Sequence, residues 1–196
     1  MDDDPRARDV LDFWFGAPGT ALHGRNRPEW FRKDAAFDAE IARRFGALVE
    51  EALAGGLRGW DAAGPPAALA RILLLDQFTR NAFRGSAKSF AGDALALQAA
   101  QALVASGGDL ALPPIERWFV YLPYEHAESV AMQDESLRLF GALAAADAAF
   151  AGVMEYVHRH RDIILRFGRF PHRNEMLGRA STDEEKAFLL EPGSSF

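Results

Sequence analysis

Apolar residues recur every three or four positions along most of this chain, and strand-like alternation does not, so the pattern predicts helices throughout. Asp4-Pro5 offers an N-cap and a first helical residue ahead of DVLDFWF, with Gly16 as the stop. Asp34 opens a longer helix in which Phe37, Ile41, Phe45 and Val49 repeat at i+4, up to Gly55-Gly56. Pro65-Pro66 precede AALARILLLDQFTRN, a helix running to about Arg80, and a fourth spans about Ser89 to Ser106, closed by Gly107-Gly108. Pro113-Pro114 start a short helix expected to end near Leu122, because Pro123 lacks an amide proton and its ring crowds the preceding turn. Two more are read from about Tyr124 to Ala145 and from Asp147 to Phe167, the latter stopped by Gly168. Ser181 to Glu185 carries the capping-box pattern of a terminal helix. Eight helical segments with short connections predict an all-α protein, one domain over residues 1–196 with a frayed tail at 190–196. No clear repeat of roughly 34 residues is present.

Three of these helices break their own pattern. On the helix that ends at Phe167, a projection of about 100° per residue puts Val153, Val157, Ile164 and Phe167 on one stripe. Glu155, Arg159, Asp162 and Arg166 fall opposite, as two i,i+4 pairs of opposite sign on a solvated face. His160 lies in the middle of the apolar stripe, where a polar ring without a partner costs about 1–3 kcal/mol. Leu69, Ile72 and Leu73 define a second face with Asp76 at its centre and Arg80 one turn later, which reads either as a buried ion pair to a neighbouring helix or as a functional carboxylate. Asn81 and Arg84 extend that polar group. On the third, Val130, Leu137 and Phe140 mark an inward stripe onto which His126 falls at the first turn, flanked by Glu125 and Glu128, which suit the helix dipole there. Three inward ionisable residues on three helices are best accommodated in one polar pocket, because each destabilises the fold unless paired. Its rim would come from Arg169, His172, Arg173 and Asn174, beyond Gly168.

Composition narrows the classes. The net charge is −6 and the pI near 5.4, against a general nucleic-acid binder. Yet HRHRDIILRFGRFPHRN, residues 158–174, packs five arginines and three histidines into one stretch. No apolar run approaches the roughly 20 residues that span a bilayer, and MDDDPRARD lacks the order of a signal peptide. With no cysteine, disulfide, thiolate and zinc-finger chemistry are excluded and a cytoplasmic setting is the default.

At VLDFWFG, EWFRKDAAFDAEI, DQFTRN, YEHAES and HRDIILRFGRFPHRNEMLGR the chain resembles the bacterial family catalogued as domain of unknown function 924, over about Val10 to Leu189. The resemblance implies an all-helical fold similar to the tetratricopeptide-repeat-like superhelix, without that repeat's sequence signature. It implies no activity.

The residues support several functions. In the first, the pocket binds a small anionic ligand, a phosphate or carboxylate compound, with arginine forks taking its charge. His126 or His160 would serve as general acid or base in a hydrolytic or group-transfer step, oriented by Asp76 or Glu125. Arg80, Asn81, Arg84, Glu125, Arg169, His172, Arg173 and Asn174 would contact the ligand. The second is a scaffold whose concave surface grips an acidic peptide or protein partner. The third is a metal-dependent enzyme with histidine and carboxylate ligands, although HExxH is absent and no helix repeats histidine at i,i+3 or i,i+4. RNA binding through RFGRFPHR is a residual fourth. No cofactor and no membrane partner are expected, and the oligomeric state is open. Trp14, Trp30, Trp60 and Trp118 are expected in packing, with Trp30 nearest to lining a cleft; His23 receives no role.

Overall fold

The structure is a computed structural model that describes residues 4–195; residues 1–3 and Phe196 lie outside that range. Among the described residues there is no strand, so the protein is all-helical. No described helix is long and apolar enough to cross a membrane. Contacts gather the described residues into two compact units, one holding those up to Arg84 with Lys88–Pro123, the other Gly85–Ala87 with those from Tyr124 onward.

In the first unit, α1 (Pro5–Phe15) is capped by Asp4, whose carboxylate accepts from Arg6 N at 3.0 Å. It ends at Gly16, where φ is 82°. Asp34 caps α2 (Ala35–Leu53) in the same way, and Ile41, Phe45 and Val49 form its buried face as expected. A short α3 (Gly59–Ala63), too brief to leave a periodic signal, is anchored by buried Trp60 and by Asp61, whose carboxylate meets Arg71 at 2.8 Å. The two prolines occupy the first turn of α4 (Pro65–Leu73) rather than preceding it, since that turn needs no amide donors. The helix then runs without a break through a π turn, Leu74–Phe78, into α5 (Thr79–Ala82). Helices α1, α3 and α6 (Asp93–Ala105) pack against α4, so every residue from Ala67 to Leu73 is buried. A 3-10 turn, Ala87–Phe90, takes the place of the first turn expected for α6. Helix α7 (Pro114–Glu125) contains Pro123 instead of stopping before it: so close to the helix end the proline forfeits one backbone hydrogen bond, and only two residues follow.

Aromatic rings fill the core of this unit. Trp14 stacks on Trp30 at 5.8 Å, and Phe119 meets Trp30 edge-on at 4.8 Å. Trp14, Trp30 and Trp60 are all buried, so Trp30 lines no cleft; its Nε1 donates to Trp14 O at 3.2 Å. Trp118 stacks instead on the exposed Phe31.

In the second unit the segment expected to be one helix from Tyr124 divides: Tyr124 and Glu125 finish α7, residues 126–129 turn, and α8 spans Val130–Ala146. Asp147 caps a 3-10 turn, Ala148–Phe150, ahead of α9 (Val153–Phe167), which stops at left-handed Gly168. Helix α10 (Asp183–Phe188) has the full capping box between Thr182 and Glu185. Helices α8 and α9 pack on each other, and Phe188 of α10 meets Phe167 of α9 at 5.0 Å. The terminal segment expected to fray is tied back over its described part, where Arg159 donates to Gly193 O at 2.7 Å and Ser194 is buried.

Candidate functional site

Glu125 closes α7 and His160 lies on the buried face of α9. Glu125 Oε1 and His160 Nδ1 are 2.9 Å apart, both side chains almost fully buried. The same Nδ1 lies 2.9 Å from Tyr156 O, the carbonyl one turn back. Two acceptors facing one nitrogen fix the proton on Nδ1 in the neutral ring and make Nε2 its basic atom. His126 follows Glu125 in the turn, partly exposed, with its ring centroid 6.2 Å from that of His160. It is therefore not in a helix's first turn, nor are Glu125 and Glu128, and the dipole argument for these carboxylates does not apply. Phe170 meets His160 edge-on at 5.5 Å. His172 stands 5.7 Å from Phe170, and the buried Arg173 places its guanidinium 4.5 Å from the same ring.

A residue not picked out in the sequence holds this turn. Gln133 of α8, fully buried, donates from Nε2 to Glu125 O at 2.7 Å and Ala127 O at 2.9 Å, satisfying carbonyls at the end of α7 and in the turn after it. The buried stripe of α8 is Gln133, Ser136, Leu139, Phe140 and Leu143; Val130, expected on it, is 42% exposed at the helix's first position. On a helical projection Gln133 lies with Leu137 and Phe140 and Ser136 beside Phe140, polar residues on an inward face, the same signal that marked His160.

Much of the expected rim frames the fold instead. Arg169 forks onto Glu185 at 2.6 and 2.8 Å, and Asn174 reaches Ser181 and the same Glu185 carboxylate. Arg169, with the Thr182 amide, holds the Glu185 carboxyl down at about 2. Arg179, also unanticipated, forks onto Glu128 at 2.6 and 2.9 Å, while Phe170 N donates to Glu128 at 2.8 Å. Burial alone would raise the Glu128 carboxyl, but these donors leave it below its ordinary value. On the outer face of α9, Arg166 reaches across to Glu184 of α10 at 2.9 Å.

Asp76 belongs to the first unit, whereas His126 and His160 belong to the second. Asp76 sits fully buried in the π turn and pairs with Arg80 at 2.9 Å. Arg80 also meets Asp93 of α6 at 3.0 Å, tying α5 to α6. Burial works against the Arg80 charge, yet Asp76 and Asp93 together hold its pKa above the ordinary value. Asn81 and Arg84 both donate to Asp38 in the first turn of α2, at 2.7 Å and at 2.6 and 2.9 Å. Among the described residues no group of three histidines or carboxylates could hold a metal ion.

Fold and cluster together define an all-helical protein with a buried histidine–glutamate pair at a helix end. The family model for bacterial proteins of unknown function, DUF924, matches residues 10–193, and the chain belongs to that family. It is similar to a solved structure of a protein of unknown function from Agrobacterium tumefaciens, with 40% sequence identity and a TM-score of 0.84 over 96% of this chain and 99% of that one. No curated protein matches the chain.

Proposed function

We propose that the histidine pair of the second unit binds a small phosphate- or carboxylate-bearing molecule, with His160 as the acid–base group. The observation that carries this is the buried contact between Glu125 and His160 Nδ1. A carboxylate held against one ring nitrogen orients the imidazole and balances the charge it gains when Nε2 takes a proton. The imidazolium then donates from Nε2 to an anion, or returns that proton to a leaving group in a hydrolytic or transfer step. His126, partly exposed beside it, is the second ring able to donate, and Arg173 lies over the Phe170 ring that meets His160 edge-on. Arg169 and Arg179 are already forked onto carboxylates and are assigned to the frame rather than the ligand.

A thermal-shift screen of inorganic phosphate, nucleoside monophosphates and di- and tricarboxylates tests the proposal, run on the wild type, His160→Ala and Glu125→Gln. A compound at about 100 times its Kd adds about 2.7 kcal/mol of stability, read as several degrees. The expected result is a shift in the wild type that His160→Ala loses and Glu125→Gln weakens. A shift fully retained in His160→Ala, or none from any compound, overturns it.

A further inference from the structure

The first unit contains a cleft of about 180 Å³, open to solvent, between the side of α1, the start of α4 and α7. Its walls are apolar where Leu11, Phe15 and Pro66 line it. Its ionisable groups are three carboxylates, Asp4, Asp12 and Glu116, with Arg8 and His23. Asp4 is already engaged, receiving Arg6 Nη2 at 2.7 Å and Trp60 Nε1 at 3.0 Å. Asp12 and Glu116 remain as the carboxylates presented to the cleft, from α1 and α7.

The loop after α1 adds a fixed acceptor. His23 Nδ1 is 2.8 Å from Gly16 O, so this nitrogen donates and Nε2 carries the lone pair. The loop lies so close that a Cβ on residue 16 would stand 2.7 Å from His23 N, and only glycine fits there. Burial raises the half-buried Glu116 carboxyl above its ordinary value. A carboxylate in that position is stabilised by an incoming cation. No described group of three ligands suits a metal ion, which leaves an organic cation, and the apolar walls call for a hydrocarbon body.

We propose that this cleft binds a small organic cation, a primary ammonium or guanidinium on an apolar stem, its head held by Glu116 and donating to His23 Nε2, its stem along Leu11 and Phe15. The site is independent of the histidine pair in the second unit and takes ligands of the opposite charge.

Hexylamine, with hexanoate and hexanol as controls, is the probe, followed by calorimetry and by amide NMR shifts around residues 12, 23 and 116. Hexylamine is expected to bind and hexanoate not, with Glu116→Gln weakening hexylamine about tenfold or more, about 1.4 kcal/mol. His23→Ala, on the exposed loop, is expected to weaken it as well and serves as the deciding variant if Glu116→Gln fails to fold. His160→Ala is expected to leave hexylamine binding unchanged, which separates this site from the anion site. Equal binding of hexanoate, full affinity in both cleft variants, or no binding at tens of millimolar overturns the proposal.

Discussion

At the scale of single residues, the second unit is organised by polar side chains that finish other elements' hydrogen bonding. Gln133 does this for the end of α7, and Glu128 does it for Phe170 N and Arg179. Replacing Gln133 by alanine strands buried carbonyls beside Glu125 and is expected to cost about 1–3 kcal/mol in urea unfolding. Ser136 is equally buried, but its hydroxyl has no hydrogen-bond partner among the described residues, so Ser136→Ala is expected to be neutral or slightly stabilising. Equal destabilisation by the two substitutions would show that bulk rather than carbonyl capping matters on this face. His160 was legible because a histidine breaks an apolar stripe visibly; Gln133, on the stripe of Leu137 and Phe140, carried the same signal, but its amide gives no hint of the carbonyls it meets.

At the scale of elements, α10 is short and docks through a few contacts, of which the Arg169–Glu185 fork is the most buried. The Glu185 side chain is 3% exposed, whereas Glu184, which pairs with Arg166, is 63% exposed. A fork onto a buried carboxylate matters more than an exposed pair, which contributes little. Arg169→Ala is therefore expected to lower the melting temperature and speed proteolysis at residues 175–190, while Arg166→Ala changes neither measurably. Similar effects from both would mean that α10 is held by Phe167 and Phe188 rather than by the fork. The elements themselves were largely legible, since Asp4, Asp34, Thr182, Gly16 and Gly168 act as the caps and stops their chemistry dictates. The π turn and the passage of α7 through Pro123 were not, because burial on all sides overrides local preference there.

For the whole molecule, carboxylates held low in both units make the protein sensitive to acid. Asp38 in the first unit, where Arg84 and Asn81 outweigh the effect of burial, and Glu128 and Glu185 in the second all titrate below their ordinary values. A carboxyl depressed in the folded state stabilises it fully above the unfolded value of 4.5 and loses that contribution as pH falls through the folded value, about 2 for Glu185. The melting temperature is expected to fall steadily below about pH 4.5, and Arg169→Ala to flatten the part of that fall due to Glu185. A melting temperature unchanged down to pH 2.5 would contradict the assignment of these pairs.

What the sequence determined by itself is the helical class, most of the helix ends and the family, because periodicity and capping act within a few residues of one another and are written locally. It also marked His160 and Asp76 as polar residues on buried faces, offered Arg80 as one partner for Asp76, and left open whether Asp76 or Glu125 would orient a histidine. Only the tertiary structure decided that Asp76 pairs with Arg80 and that Arg80 reaches on to Asp93, that Arg169 and Asn174 serve Glu185, and that Glu125 is the carboxylate against His160. Those partners lie as many as 35 residues apart along the chain. A side chain's partner is set by which helices pack together and in what rotation, and that depends on the burial of the whole apolar surface rather than on any local stretch.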